Sequence, residues 1–517
     1  HLSRRTLSML SEGMEVEAGQ QIGFIGDHTV NGGWAPHLHF QIITNRLNKK
    51  GEFPGVGQPS LWPLWSRISP DPNLILRLAP ESYHVDPTPP DGLLKRRAAV
   101  LGPSLSISYA KKLKMVRGEG AYLFDHTGRA FVDGVNNICH VGHSHPHVVE
   151  ALAKQAAVLN TNTRYLHDTI LEYSERLASY FPKPLSVVYL VCSGSEANEL
   201  ALRMARTVTG RNDTVVLDWG YHGNTSGLID VSPYKFNRKG GRGKPSHIEI
   251  ATLADPYRGP FKGYGADSGI AYAQSVVEKI EVIRARTGQG PAAFIVEAIS
   301  GCGGQVFFPD AYLQTAAKHV REAGGLVIVD EVQTGFGRVG NHMWAHGPQG
   351  VVPDIVTLGK PIGNGHPMAA VVTTPEIAKA FANGMEFFSS FGGNPVSAAV
   401  GLAVLDVIEQ EKLQAKARVT GDHLKLQFEA LMRNHQIIGH VRGEGLFLGV
   451  ELVRDRKTLE PATEEADRIA NHLRNNGVLI STDGPFDNVL KIKPPMTFGL
   501  REANIMNDTP NEALALL

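Results

Sequence analysis

Five polar residues stand at or just beyond the ends of apolar runs, and together their types form a chemical set. Ser193 follows the run at 187–191, Asp218 the run at 215–217, Glu297 the run at 294–296, Asp330 the run at 326–329, and Lys360 the run at 355–358. Lys360 lies in Thr-Leu-Gly-Lys-Pro-Ile-Gly-Asn-Gly, after an apolar run and before a glycine-rich turn. Desolvation there disfavours the ammonium and frees an amine nucleophile. Taken alone, a lysine at a loop start is more often a surface residue. Asp330 lies in Val-Ile-Val-Asp-Glu-Val-Gln-Thr-Gly-Phe-Gly-Arg. A carboxylate at the end of an apolar strand is costly unless a cation faces it, and a protonated ring nitrogen would serve. The competing role is a structural cap on the next turn. Ser193-Gly-Ser-Glu-Ala-Asn-Glu opens a helical pattern. Free amides at a helix start suit a phosphate, which Gly194 and Ser195 would hold. The same Ser with a nearby Glu serves equally well as an ordinary capping box. In Tyr221-His222-Gly223, an aromatic ring is placed to stack on a flat ligand, although a packed core ring is the commoner fate of a single Tyr. Gln333 would then lie near an oxygen of that ligand, and Glu297 would support the same oxygen or the substrate pocket.

These motifs become one site only if the fold collects them. Amphipathic stretches at 148–159, 198–208 and 272–285 alternate with the apolar runs. The alternation predicts an α/β fold, with a mostly parallel sheet covered on both faces. In such sheets the ligand crevice lies outside the carboxyl ends of the strands, where all five residues fall. Before this region, residues 1–45 alternate apolar and polar around glycines and read as a small β-rich module. Residues 46–90 carry nine prolines and read as an extended linker.

The 517 residues hold 51 Lys+Arg and 51 Asp+Glu, so the formal net charge is zero. With no long basic run, this argues against nucleic acid or a membrane surface as the main partner. The three cysteines, Cys139, Cys192 and Cys302, form no CxxC pair. That usage argues against a disulfide framework or zinc ribbon and points to a reducing cytoplasm. No apolar run approaches the ~20 residues of a membrane helix, and no segment reads as a signal peptide.

Over residues 91–517 the motifs together resemble the class III aminotransferases, which have the fold type I architecture of pyridoxal-phosphate enzymes. The resemblance implies a large cofactor domain at about 145–400 and a small α+β domain built from 91–144 and 401–517. It implies pyridoxal 5'-phosphate carried on Lys360, with Asp330 against the pyridine nitrogen and Gly194 and Ser195 on the phosphate. Tyr221, His222, Glu297 and Gln333 would surround the ring. Members of this family lend a threonine to the neighbouring subunit from Thr-Phe-Gly-Gly-Asn-Pro. Here the motif is Ser390-Phe-Gly-Gly-Asn-Pro, which keeps the hydroxyl and implies a homodimer with shared sites.

Four further segments narrow the resemblance. They are Asn136-Asn-Ile-Cys-His-Val-Gly-His-Ser-His-Pro, Leu159-Asn-Thr-Asn-Thr-Arg-Tyr-Leu-His-Asp, Ser232-Pro-Tyr-Lys-Phe, and Asp483-Gly-Pro-Phe-Asp-Asn-Val-Leu-Lys-Ile-Lys-Pro-Pro-Met. They look like ethanolamine-phosphate phospho-lyases, a branch of the fold that eliminates phosphate. The reaction implied is phosphoethanolamine plus water giving acetaldehyde, ammonia and phosphate. Such a substrate needs cations, and Arg164, Lys235, Arg442 and Lys493 are the candidates, with Tyr165 and His167 on the same wall. A planar Arg fork suits phosphate, while structural ion pairs are the competing role for some of the four. The alternative activity is an ω-aminotransferase of small amines, which would share every cofactor residue but require a keto acid. At the N-terminus, Gly-Phe-Ile-Gly-Asp and Ala-Pro-His37-Leu-His39 resemble part of an M23 metallopeptidase domain. That resemblance implies zinc binding by His39, assistance by His37 and a further active-site role for His1. A catalytic zinc needs about three protein ligands. The upstream ligand motif is not in this sequence, so the expectation is a docking or linking module with no metal.

Overall fold

A computed structural model describes residues 90–514 continuously. Before them it describes only Ser11, Met14, Glu15, Glu17, Gln20, Gln21, Ile43, Thr44 and Ser69. The chain divides into two compact units, His1–Ser82 and Tyr83–Leu517, and everything from residue 90 onward belongs to the second. Apart from those isolated positions, the module at 1–45 and the linker at 46–90 lie outside the described residues, as do His1, His37 and His39.

The larger sheet has seven strands: β1 Val187–Val191, β2 Thr214–Leu217, β3 Ile248–Ala251, β4 Ala293–Glu297, β5 Leu326–Asp330, β6 Ile355–Leu358 and β7 Ala369–Thr373. Their spatial order is β1-β7-β6-β5-β4-β2-β3. Strands β2 to β6 pair in parallel, and β7 runs antiparallel to both its neighbours, β1 and β6. All five apolar runs of the sequence are strands of this sheet, and β3 and β7 complete it.

Strands β2, β4, β6 and β7 are buried at every position. A strand covered on both faces reads as a continuous apolar run. Successive side chains point to opposite faces, and the two cores follow that rule. Val216, Ile295 and Ile328 pack with Leu200, Ala201 and Met204 of the helix Gly194–Thr209. Val215, Phe294, Val296, Val327 and Val329 pack on the other face with the helices Ala266–Thr287 and Tyr312–Glu322. Each fully buried Val, Ile or Phe contributes roughly 1.5–3 kcal/mol of transfer free energy. The sheet that carries the polar strand ends is therefore held from both sides.

Two smaller sheets flank it in sequence. In one, Met115–Glu119, Tyr122–Asp125 and Ala130–Asp133 form an antiparallel meander. Val478–Leu479 then adds in parallel beside Ala130–Asp133. In the other, Ile438–Glu444, Phe447–Asp455, Val489–Ile492 and Ser481–Asp483 pair antiparallel in that order. Among the described residues no helix is long and apolar enough to cross a membrane, and no group of His, Cys, Asp and Glu could hold a metal ion.

Candidate active site

Beyond the carboxyl ends of β1, β2, β4, β5 and β6 lies a cavity of about 210 Å³. Gly194 and Ser195 line it from the start of the helix Gly194–Thr209. The first amides of a helix have no intrahelical acceptor and carry partial positive charge. The Ser193 side chain accepts from the Glu196 amide at 3.1 Å, and Glu196 accepts from the Cys192 amide at 2.7 Å. Ser193 is thus a cap, and that leaves the amides of Gly194 and Ser195 available. A Cβ at Gly194 would come 2.9 Å from Val332 Cγ1, so only glycine lets the helix start this close to β5.

The loop after β2 is pressed onto the same helix start. Ser195 Oγ accepts from the Asn224 amide at 3.1 Å. At Gly223 (φ +149°) a Cβ would lie 2.7 Å from that oxygen. Tyr221 and His222 are carried into the cavity wall by this contact. Lys360 opens a short 3-10 turn two residues past β6, with φ +35°. A left-handed conformation at a residue with a side chain is uncommon and marks a position held by its surroundings. The residue before it packs closely too, because a Cβ at Gly359 would meet Gly194 Cα at 3.3 Å.

Asp330 is buried and accepts three hydrogen bonds. Asn198 Nδ2 and His222 Nδ1 lie 2.7 and 3.0 Å from Oδ2, and the Val332 amide lies 3.0 Å from Oδ1. Asn198 also donates to the His222 carbonyl at 2.8 Å and accepts from Thr357 Oγ1 at 2.6 Å. The carboxylate is therefore fixed from the helix after β1, the loop after β2, and β6. With its Nδ1 proton given to Asp330, His222 leaves a buried Nε2 without a protein partner. Asn198 is a site residue that the sequence motifs do not single out. Its signal was the spacing, since it stands four residues after Gly194 and so shares a helix face with it.

Glu297 and Asp330 are register partners on adjacent strands. Burial and the charge of Asp330 push the Glu297 carboxyl well above the usual range, against the pull of Lys493 and Lys360. That shift favours the protonated form, which can donate, and Glu297 Oε2 has no partner in the protein. Gln333 Oε1 accepts from Asn137 Nδ2 at 3.2 Å and from Lys493 Nζ at 3.0 Å, so the amide orientation is set and its NH2 is left to donate.

Lys493 is buried, and burial lowers its ammonium from the ordinary 10.5 to about 8, although Asp483 at 3.8 Å opposes the shift. Between these values the unfolded chain binds more protons than the folded one, so folding stability rises with pH. The wild-type protein should gain on the order of 3 kcal/mol relative to Lys493→Met between pH 8 and 10.5. Parallel denaturant titrations across that range check it, and a constant difference would contradict it.

The four candidate substrate cations are placed differently. Arg164 pairs with Glu386 at 3.0 Å on the surface and lies 4.2 Å over the Phe388 ring. Arg442 is buried and committed to Glu451 at 2.6 Å and to the Gly304 carbonyl at 2.5 and 2.8 Å. For these two, the structural ion pair weighed in the sequence is the role that the geometry gives. Lys493 sits behind Gln333. Lys235 is exposed, with Nζ 5.5 Å from the Tyr221 ring centre and 5.3 Å from that of Tyr234. It pairs with no carboxylate among the described residues. Tyr165, His167 and the exposed Ser390 do not line the cavity of their own chain.

A profile of the family described as "Aminotransferase class-III" matches residues 107–513. The chain belongs to the class III aminotransferases. It is 49% identical over 417 residues to the alanine–glyoxylate aminotransferase 2-like protein of Drosophila melanogaster, covering 80% of this chain and 84% of that one. It is 40% identical over 429 residues to ethanolamine-phosphate phospho-lyase homolog 1 of Caenorhabditis elegans, covering 80% and 91%. A phospholyase from Arthrobacter in complex with phosphoethanolamine superposes with a TM-score of 0.78 at 39% identity, covering 82% of this chain and 100% of that one.

As a class III aminotransferase the chain is a pyridoxal-phosphate enzyme, and its cavity fits that group. Helix-start amides at Gly194 and Ser195 suit the phosphate. The buried Asp330 carboxylate has the neutral amides of Asn198 and Val332 about it, which leaves its charge for a ring cation. The partnerless His222 Nε2 and Glu297 Oε2 mark polar positions that a ligand can satisfy. Lys360 supplies the amine on the same wall.

Proposed function

We propose that this protein is a phospho-lyase, which converts phosphoethanolamine or a closely related phosphorylated amine, with water, to acetaldehyde, ammonia and phosphate. The observation that carries this reading is Lys235, an unpaired cation beside a ring that lines the cavity. The two arginines that could fork a carboxylate are both held in ion pairs. Likeness to a phospholyase that binds phosphoethanolamine supports the same substrate class.

When bound, pyridoxal phosphate supplies an aldehyde that joins the substrate amine and a ring that stores the electron pair left by a departing proton. Lys360 is the base, and its Nζ takes the proton from the carbon that bears nitrogen. Asp330, aimed by Asn198 and His222, holds a proton at the ring nitrogen. The Gln333 amide, with Glu297 beside it, offers a donor to the ring oxygen. Gly194 and Ser195 bind the cofactor phosphate. Lys235 holds the substrate phosphate, which leaves with the electrons of its carbon–oxygen bond. The released enamine then takes up water and loses ammonia.

The reading carries a homodimer in which the exposed Ser390 of one protomer serves the other's site. It also carries the domain limits near residues 145 and 400. Every strand of the seven-stranded sheet falls between residues 187 and 373, in keeping with those limits.

The test is phosphate release from phosphoethanolamine with cofactor supplied and no keto acid. Steady release over many turnovers supports the lyase. The 49% identical aminotransferase 2-like relative favours a second reading, an ω-aminotransferase. Amine transfer to added pyruvate without any phosphate release would establish that activity instead.

A further inference from the structure

Because the chain is charge-balanced, with 51 basic and 51 acidic residues, a local run of one sign is informative. Between Val231 and His247 there are five basic residues, Lys235, Arg238, Lys239, Arg242 and Lys244, and no acidic one. Two are neutralised from outside: Arg238 pairs with Asp487 at 3.2 Å and Lys244 with Glu249 at 3.1 Å. Lys235, Lys239 and Arg242 are exposed and pair with no carboxylate among the described residues.

The loop that holds them is folded back on itself. The Gly241 amide donates to the Arg238 carbonyl at 2.9 Å, and the Gly243 amide to the Phe236 carbonyl at 3.0 Å. A Cβ on Gly241 would lie 2.7 Å from the carbonyl oxygen of Lys235. The Phe236 carbonyl would be nearer still, so Gly241 rests on the backbone of Lys235 and Phe236, and Arg242 follows it there. Gly240 and Gly243, with φ +87° and +77°, supply the left-handed conformations that this return requires. Arg238 lies 4.5 Å over the Tyr234 ring and donates to the Gly484 carbonyl at 3.2 Å, and the Tyr234 ring lies 5.8 Å from that of Tyr221, which lines the cavity. Three exposed like charges on one short loop attract an anion more strongly than any one of them alone. Charges within about a Debye length, ~8 Å at physiological salt, act together on such an anion.

We propose that the 235–244 loop is a capture site for dianionic phosphate, in which Lys239 and Arg242 draw the phosphate end of the substrate toward Lys235 beside the cavity-lining Tyr221. The proposal rests on the phospho-lyase reading and names the residues that favour a phosphorylated amine over a neutral one.

The test is kcat/KM of the holoenzyme for phosphoethanolamine at low and high salt. The wild type should lose about 10-fold as salt screens the loop. Lys239→Gln with Arg242→Gln should start near the high-salt value, show little further salt dependence, and place its loss in KM rather than kcat. Lys239→Arg with Arg242→Lys, which keeps both charges, should retain the wild-type slope. A neutralised pair with the wild-type slope overturns the proposal. If the wild type releases no phosphate at any salt, it is the lyase reading that has failed. Calorimetric titration of inorganic phosphate into the holoenzyme then decides for the loop. Weaker low-salt binding in the neutralised pair upholds the capture site, and equal binding overturns it.

Discussion

Lys360→Ala should lower phosphate release from phosphoethanolamine by about 10⁴-fold, the upper range for a positioned acid or base. The side chain lies in the cavity wall and not in the core, so its loss removes chemistry without opening a packing void. The backbone there is left-handed, at φ +35°, and alanine meets the same constraint as lysine. Thermal unfolding of the variant should therefore stay close to that of the wild type. An added small primary amine should restore part of the rate, because a free base can enter the space the lysine vacated. A variant that releases phosphate within 10-fold of the wild type would remove Lys360 from the base's role.

Asp330→Asn is expected to lower kcat by about 10²–10³-fold, the scale measured for losing one preorganised electrostatic partner. Asparagine keeps the volume and can still accept from Asn198 and His222, so charge is the main thing removed. Its amide cannot accept from the Val332 amide as Asp330 Oδ1 does at 3.0 Å, and that mismatch costs roughly 1–3 kcal/mol of stability. Asp330→Ala would unseat Asn198 and His222 as well. Comparing kcat and the denaturation midpoint of both variants separates the charge from the scaffold it anchors. If Asp330→Asn matched the wild type in kcat, the carboxylate charge would have no catalytic part.

Much of this was legible because burial writes itself into composition. Strands β4, β5 and β6 are covered on both faces, and a run such as Ala-Phe-Ile-Val-Glu allows little else. Polar residues at the ends of such runs have to be functional or paired, which singles out Glu297, Asp330 and Lys360. Strand β7, Ala-Ala-Val-Val-Thr, was less visible because alanine favours helix. Its identity comes from antiparallel pairing with β6, which just precedes it, and with β1, which lies far away in sequence. Arg442 shows the other limit. In Val-Arg-Gly-Glu-Gly it looks like a cation awaiting a ligand, yet its partners are Glu451 across a hairpin and the carbonyl of Gly304, 138 residues away. A non-local partner leaves no trace in a local motif.

The parallel pairing of Val478–Leu479 with Ala130–Asp133 has a bearing on how the protein is made. On the ribosome, all seven strands of the larger sheet emerge while Ala130–Asp133 still has an open edge. That edge can close only after Leu479 has been translated. Every nascent chain thus passes through a stage in which the cofactor-binding half is complete and the sheet that frames it is not. An exposed edge strand is a template for pairing with other chains. Chaperone demand during synthesis should be concentrated in that interval, and a message truncated before the codon for Val478 should yield an aggregating product rather than a weak enzyme.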